Sequence, residues 1–178
     1  MQTPMTFPSA RGFTLIEMVV TLVLVGILAA VGLPILSNSL RAYDATQESL
    51  ATLGKLRYAT ERLAREIREV RRDPLAPGDY DIAVMTATTF QFTRADGVEA
   101  TLEAAPPRLT LRYSAPVANP PPALTDQVAG FAFKYFKADG VTAATSKSDV
   151  AFVEMNLTLT QGGADYAQRT RMSLRNKL

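Results

Sequence analysis

The most prominent feature of the sequence is a long apolar run close to its start. The 23 residues from Met18 to Leu40 contain no charged side chain, and a helix that spans a bilayer needs about 20 apolar residues. The run therefore predicts a transmembrane helix over residues 13–40. Glu17 lies at the head of this run, where an ionisable side chain costs free energy. Glu17 is therefore a candidate functional residue.

Beyond the apolar run, apolar residues recur at the spacing of one helix face. This spacing predicts an amphipathic half of the helix over residues 41–73, with charged pairs such as Arg62 and Glu66 on the other face. The stripe covers about two and a half heptads, which is too short for a coiled coil, so we expect it to pack on a sheet of the same chain. Its members are Leu53, Leu56, Thr60, Leu63, Ile67 and Val70.

One continuous helix is predicted from Phe13 to about Arg72. We expect it to end at Asp73-Pro74 because proline disfavours the helical conformation in the residue before it. Pro34 lies inside this helix. Since proline removes one backbone hydrogen bond, we expect Pro34 to kink or locally melt the helix.

After Pro77-Gly78 the pattern changes to the alternation of β-strands, which predicts an antiparallel sheet domain over residues 74–178. Residues 89–93 and 98–102 alternate around the turn Ala95-Asp96-Gly97, which predicts a hairpin. Because the connections are short, we expect about five or six antiparallel strands with one face on the helix. The fold class is thus α+β. The remaining strand candidates are residues 108–113, 128–137, 150–160 and 166–174, with turns at 138–140 and 162–163.

Composition excludes several kinds of chemistry. The chain has 178 residues with 19 basic and 17 acidic side chains, and no basic cluster is interleaved with aromatic residues, so no nucleic-acid binding is predicted. It contains neither cysteine nor histidine, which removes thiol chemistry, disulfides and the commonest general base. Together with the lack of nucleophile and phosphate-loop motifs, this predicts a non-enzyme without cofactor, metal or catalytic residues.

Three aspartates near the expected helix end are candidates for a calcium site. Asp73, Asp79 and Asp81 offer oxygen ligands, of which Ca²⁺ takes six to eight. Their spacing matches no calcium loop, so the turn-forming role of aspartate is the favoured interpretation.

The segment Arg11-Gly12-Phe13-Thr14-Leu15-Ile16-Glu17 resembles the processing site of type IV prepilins and of the pseudopilins of type II secretion. The resemblance implies that residues 1–12 are a leader, that a prepilin peptidase cuts between Gly12 and Phe13, and that Phe13 becomes N-methylated. It also implies that Glu17 pairs with the N-terminal amine of a neighbouring subunit and that Pro34 matches a proline inside the helix of many family members. The physics agrees, because a buried carboxylate needs a charged partner.

Two other interpretations of the N-terminal segment remain open. An ordinary secretory signal peptide would be cleaved near Ala30-Val31-Gly32, although a carboxylate at the start of its apolar region is unfavourable. A simple membrane anchor for a periplasmic domain leaves Gly12-Phe13 and Glu17 unexplained. The charges that flank the span do not choose an orientation, so the expected inner-membrane, single-pass placement with the bulk in the periplasm comes from the resemblance.

The layout of a long helix followed by an antiparallel sheet resembles the ladle shape of pilins. Residues 63–68, residues 128–140 and Arg175-Asn176 further resemble larger minor pilins, either the J-type pseudopilins of type II secretion or the biogenesis-type minor pilins of mannose-sensitive haemagglutinin pili. The resemblance implies a minor pilin-like subunit that assembles into or primes a pilus, with a J-type pseudopilin as the alternative. Its partners would be the peptidase, other pilin subunits and the inner membrane. A membrane-anchored binding or adhesin domain that never polymerises is the alternative from a different class.

Overall fold

The computed structural model of the chain describes residues 12–117 and 120–174. The chain divides into two compact units, Met1–Thr46 and Gln47–Leu178, and one helix contributes residues to both. The combination of this helix with antiparallel sheets confirms the α+β fold class. The elements in chain order are α1 (Leu15–Arg68), β1 (Ile82–Met85), β2 (Thr89–Thr93), β3 (Glu99–Ala105), β4 (Arg108–Tyr113), β5 (Ala123–Thr125), β6 (Val128–Phe136), β7 (Phe152–Gln161) and β8 (Ala164–Ser173).

The described part of the first unit is the N-terminal half of α1. Every residue from Gly12 to Thr46 is exposed, so these residues form no hydrophobic core of their own. The helix is continuous through Pro34, and the expectation that it melts at the proline was therefore wrong. The unit presents its apolar surface outward on all sides, which is typical of a helix that lies among lipids or other helices.

The second unit contains the C-terminal half of α1 and two antiparallel sheets. In the first sheet the strand order is β1-β2-β3-β4-β5, and in the second it is β6-β7-β8. The described residues thus form eight strands in two sheets, where about five or six were expected on one face of the helix. The sequence analysis missed β1 and β5 because they have only four and three residues, too few to establish an alternating pattern.

The predicted hairpins are confirmed. β2 and β3 pair in register across Ala95-Asp96-Gly97, and β7 and β8 pair across Gly162-Gly163. The two glycines have φ angles of +60° and +81°, which a two-residue turn of type I′ requires and which only glycine adopts without strain.

Helix α1 ends at Arg68, earlier than the expected end near Arg72. The backbone of Glu69 and Val70 donates to the carbonyls three residues before, which tightens the last turn. The next residues then pair with the sheet. The backbone N–H of Arg71 donates to the carbonyl of Thr93, and Arg72 forms an antiparallel β-bridge with Tyr80. Pairing with the sheet therefore ends the helix before Asp73-Pro74 is reached.

The predicted apolar stripe of α1 packs into the core with one exception. Leu53 is 45% exposed, and the neighbouring Thr52 is buried in its place. The other stripe members are buried and face the inner side chains of both sheets, among them Phe90, Phe92, Leu102, Leu109, Met155 and Leu157.

An aromatic cluster joins the two sheets. The ring of Phe90 in β2 lies 5.7 Å from that of Phe133 and 5.6 Å from that of Tyr135 in β6. The Tyr135 hydroxyl donates to the carbonyl of Thr86 at 2.7 Å, which satisfies the polar end of a buried ring. The sheets therefore share one core although their strands do not pair with each other.

Two carboxylates are buried and each is held by arginines. Glu66 in α1 pairs with Arg62 at 2.9 Å and with Arg94 after β2 at 3.3 Å. The pair of Arg62 and Glu66 was expected on the solvent-facing side of the helix, but the Glu66 side chain is only 3% exposed. The sheet covers it, which the helix pattern by itself does not reveal.

Glu154 in β7 accepts hydrogen bonds from two arginines of β8. Its Oε2 atom lies 2.7 Å from Arg169 Nη2 and 2.8 Å from Arg171 Nη2. Burial raises the pKa of the Glu154 carboxyl, but the hydrogen bonds from Arg169 and Arg171 outweigh this effect and hold the pKa below its usual value.

We expect Leu63→Ala to lower the free energy of unfolding by about 2–5 kcal/mol, because Leu63 is fully buried and its truncation leaves a cavity. The same substitution at the half-exposed Leu53 should cost about 0.5 kcal/mol or less. Urea unfolding of the full chain in detergent, followed by near-ultraviolet circular dichroism, measures both. Equal losses at the two positions would contradict this packing of α1.

The low pKa of Glu154 predicts a specific dependence of stability on pH. Since the folded pKa lies below the unfolded value of about 4.3, the contribution is present above that value and is lost as the pH falls through the folded pKa. Glu154→Gln should therefore have a lower free energy of unfolding than the wild type at pH 7. This difference should disappear towards pH 3. Glu103→Gln, at an exposed position of β3, is the control. A deficit of Glu154→Gln that stays constant from pH 7 to pH 3 would contradict the assignment.

Candidate functional site

The candidate site lies where α1 begins. Gly12, Phe13 and Thr14 are not helical, and the helix begins at Leu15, two residues after the expected start at Phe13. Thr14 is the N-cap: its Oγ1 accepts a hydrogen bond from the Glu17 N–H at 3.3 Å, and its carbonyl accepts one from the Met18 N–H at 3.2 Å. These bonds satisfy donors that a helix start otherwise leaves unpaired.

Glu17 occupies the third helical position, so Thr14 and Glu17 stand in the Thr-x-x-Glu order of a capping box. The structure shows the Thr14 half of this arrangement. A carboxylate in the first turn is also favoured by the partial positive charge at a helix N-terminus. Glu17 therefore has a local role in starting the helix, which the sequence analysis missed although the Thr-x-x-Glu spacing was visible.

The side chains around Glu17 are apolar and exposed. Phe13 is 80% and Ile16 is 72% exposed, and Leu15 and Met18 are exposed as well. Among the described residues, α1 is the one helix long and apolar enough to cross a membrane. An exposed apolar surface of this length is unfavourable in water. Such a surface around Glu17 is typical of a helix that lies among lipids or other helices.

The hydroxyl groups of this helix bond to its own backbone. Thr21 Oγ1 donates to the Met18 carbonyl at 2.9 Å, and Ser39 Oγ donates to the Ile35 carbonyl at 2.9 Å. Ser37 Oγ donates to the carbonyl of Pro34 at 3.3 Å. Pro34 itself has no N–H to donate within the helix. These side chains can therefore enter an apolar environment without leaving a polar group unpaired.

Two glycines leave open surface on the same half of the helix. A Cβ atom added at Gly26 or Gly32 would meet nothing within 4 Å, so packing within the described chain does not require glycine there. Small residues on an apolar helix allow the backbone of a second helix to approach closely. This part of the helix is therefore suited to contact another helix.

The structure brings some of the predicted site residues together and leaves one apart. Gly12 and Phe13 are adjacent to the Thr14 cap and lie within about one turn of Glu17. Pro34 lies 17 residues after Glu17 in the same helix, which is about 25 Å along the axis. The cleavage bond expected between Gly12 and Phe13 is in non-helical, exposed backbone, where a peptidase can reach it. The leader residues 1–11 and Arg175-Asn176 lie outside the described residues.

The described part of the chain holds no group of three or more His, Cys, Asp or Glu side chains that could bind a metal ion. Asp73 instead accepts a hydrogen bond from the Leu75 N–H at 2.9 Å and pairs with Lys147 at 3.0 Å. The hydrogen bond from Lys147 holds the pKa of Asp73 below its usual value. Asp81 pairs with Arg71. The turn-forming role of Asp73 is thus confirmed.

Comparison with known proteins gives a match for the N-terminal segment. Residues 8–33 match the family described as the prokaryotic N-terminal methylation motif. No curated protein matches the chain. The matched residues include Gly12, Phe13, Thr14 and Glu17 and end immediately before Pro34.

This motif is the signal of type IV pilin-like proteins, which are structural rather than enzymatic. It implies processing by a prepilin peptidase and assembly with other pilin subunits. The chain thus carries a type IV pilin-like signal on an exposed apolar helix, and this supports its place in the pilin and pseudopilin family.

Proposed function

We propose that the protein is a minor type IV pilin-like subunit that is cleaved between Gly12 and Phe13, methylated on Phe13 and assembled through α1 into a pilus, or primes its assembly. The observation that carries this proposal is the methylation motif over residues 8–33, which coincides with the start of an apolar helix whose side chains are exposed.

The proposal gives each part of the chain a role. Residues 1–12 are the leader, and residues 13–40 are the transmembrane and assembly helix. Residues 41–73 continue as the amphipathic half, and residues 74–178 form the β domain. The protein crosses the bacterial inner membrane once, with its bulk in the periplasm, before it enters the filament. The exposed apolar side chains of the first unit support this order, because lipid covers them first and neighbouring helices cover them afterwards.

Glu17 is the residue that selects the neighbour. In an apolar environment a carboxylate without a counter-charge costs several kcal/mol. The start of its own helix offers only about half a positive charge. Cleavage after Gly12 creates an ammonium group at Phe13, and the same group on a neighbouring subunit supplies a full charge. Pairing of the two sets the axial position of one subunit against the next.

Pro34 has a smaller role in the proposal. Its missing N–H leaves one backbone carbonyl of the preceding turn without its helical partner. The helix is continuous at this point, but this turn has one backbone hydrogen bond fewer than the others. In a filament such a turn lets the helix adjust to its neighbours.

Two alternatives differ from the proposal in specific ways. A J-type minor pseudopilin of type II secretion carries the same kind of N-terminal segment and would serve secretion in place of a pilus. A membrane-anchored periplasmic binding or adhesin domain would need the helix but no filament, and it would leave Glu17 without a charged partner in the bilayer. A strain in which the subunit is deleted tests the first alternative. Loss of the pilus supports the proposal, and loss of secretion supports the pseudopilin.

We expect Gly12→Leu to block maturation, because the bulky side chain stands at the residue before the cleaved bond. N-terminal sequencing and intact mass of membrane-extracted protein should give Phe13, methylated, for the wild type and Met1 for Gly12→Leu. The matched control is Gly54→Leu, at an exposed helix position with nothing within 4 Å of an added Cβ. A wild-type chain that begins at Met1 or at Leu33 would refute the processing, as would normal cleavage of Gly12→Leu.

We expect Glu17→Gln to leave cleavage intact and to lower incorporation into sheared filaments by at least about tenfold, because the buried ion pair is lost. Incorporation is measured by immunoblot relative to mature protein in the membrane. Asp44→Asn, a charge loss at an exposed helix position, should have little effect.

Thr14→Ala separates the two roles of Glu17, because it removes the cap and keeps the carboxylate. If Glu17 pairs between subunits, incorporation of Thr14→Ala stays close to normal. Equal losses for Thr14→Ala and Glu17→Gln would assign Glu17 to capping alone and would contradict the pairing.

A further inference from the structure

The last strand, β8, is a free edge of the second sheet. It pairs with β7 over its whole length from Ala164 to Ser173, and no other described strand or bridge pairs with it. The opposite edge strand, β6, is covered, because Phe133 donates to the Ala87 carbonyl and Ala144 donates to the Tyr135 carbonyl. The sheet therefore has one open edge in the described part of the chain.

The register identifies which backbone groups of β8 point outward. The two-residue turn makes Gln161 and Ala164 a hydrogen-bonded pair, and such pairs recur at every second residue along the two strands. The bond from the Leu174 N–H to the Ala151 carbonyl agrees with this alternation. Even-numbered residues of β8 thus bond to β7, and odd-numbered residues direct their N–H and C=O groups away from the sheet. The outward-directed residues are Asp165, Ala167, Arg169, Arg171 and Ser173.

Charges alternate across the outer face of this sheet and end in arginine at the free edge. Lys134 in β6 lies opposite Glu154 in β7, and Glu154 lies opposite Arg171 in β8. Arg169 bonds to Glu154 through Nη2 and keeps 65% of its side chain exposed, so its remaining N–H donors face solvent. Arg171 already donates to Glu154 and to the Gly140 carbonyl, so the position beside Arg169, beyond β8, is the one that favours a carboxylate.

A groove lies between this edge and α1. It has a volume of about 460 Å³, its floor includes Ala64 and Thr60, which are buried, and Gln168 and Thr170 form its strand side. Its helix side holds two exposed arginines, Arg65 and Arg68, together with Glu61 and Glu69. A strand added beyond β8 would place one set of its alternating side chains into this groove, where small apolar residues fit.

We propose that the free edge of β8 accepts an extended segment of a different protein chain as an added strand. The segment carries acidic side chains on the face of Arg169 and Arg171 and small apolar side chains on the face of the groove. Main-chain bonds to the outward-directed residues hold it, as in other cases of strand addition. A second copy of this chain would bring its own Arg169 to the same edge, and the dimer measurement below tests that occupant.

This interaction involves β8 and the last turns of α1 and none of the residues near Glu17, so it is tested independently of processing and filament assembly. The full chain is purified in detergent and labelled with ¹⁵N. It is titrated with a ten-residue peptide of alternating Glu and Val and with the sign-reversed peptide of alternating Lys and Val. We expect the acidic peptide to bind at least about tenfold more tightly, and 0.5 M salt to weaken it. It should slow exchange of the amide hydrogens of Ala167, Arg169 and Arg171 at least tenfold.

Ala167→Pro is the variant that tests the backbone. The N–H of Ala167 points away from β7, so proline removes an outward donor and keeps the pairing within the sheet. We expect it to weaken binding of the acidic peptide at least tenfold and to leave the circular dichroism spectrum unchanged. Lys134→Ala, at the far end of the same charge series, is the matched control and should change the affinity by less than twofold.

Several outcomes would overturn the proposal. They are lack of binding by the acidic peptide, equal binding of both peptides, and unchanged amide exchange in β8 when the acidic peptide is bound to the wild type. The exchange measurement does not depend on a variant, so it decides even if Ala167→Pro fails to fold. A concentration-dependent dimer that Ala167→Pro abolishes would also overturn it, in favour of a second copy.

Discussion

The structure depends on one constraint, which is that an apolar helix with a carboxylate at its head cannot remain exposed to water. Every side chain from Gly12 to Thr46 is exposed, and the chain itself provides no residues to cover them in the described part of this unit. Lipid or other helices must do so. Once they do, water no longer solvates Glu17, and the carboxylate needs a positive charge nearby. The start of its own helix supplies part of that charge, and an amine freed by cleavage would supply the rest.

The second unit must be stable without disulfide bonds. The chain has no cysteine, and its core is built from one helix face and the inner faces of two sheets. An aromatic cluster around Phe90 joins the sheets, and arginines pair with the buried carboxylates of Glu66 and Glu154. This unit is thus stabilised by its own core, and in its described part the outer edge of β8 pairs with no other strand.

Some features of the candidate site could be read from local sequence, and others could not. The order of Gly12, Phe13 and Glu17 at the head of an apolar run was sufficient to mark the site, because both features are contained in consecutive residues. The capping role of Thr14 is equally local, because the Thr-x-x-Glu spacing lies within four consecutive residues. The burial of Glu66 was not readable at all, because the residue that covers one side of it, Arg94, comes from a distant turn.

The sequence by itself determined the apolar span, the helical stripe from Leu56 to Ile67 and the hairpin turns, since each depends on periodicity or on residues that favour one backbone conformation. Only the tertiary structure decided that α1 ends at Arg68, that the strands divide into two sheets and that β8 is the open edge. Those features arise from pairing between segments far apart in the chain. Hydrogen bonds of this kind depend on which backbones meet, and a local pattern of side chains does not specify that.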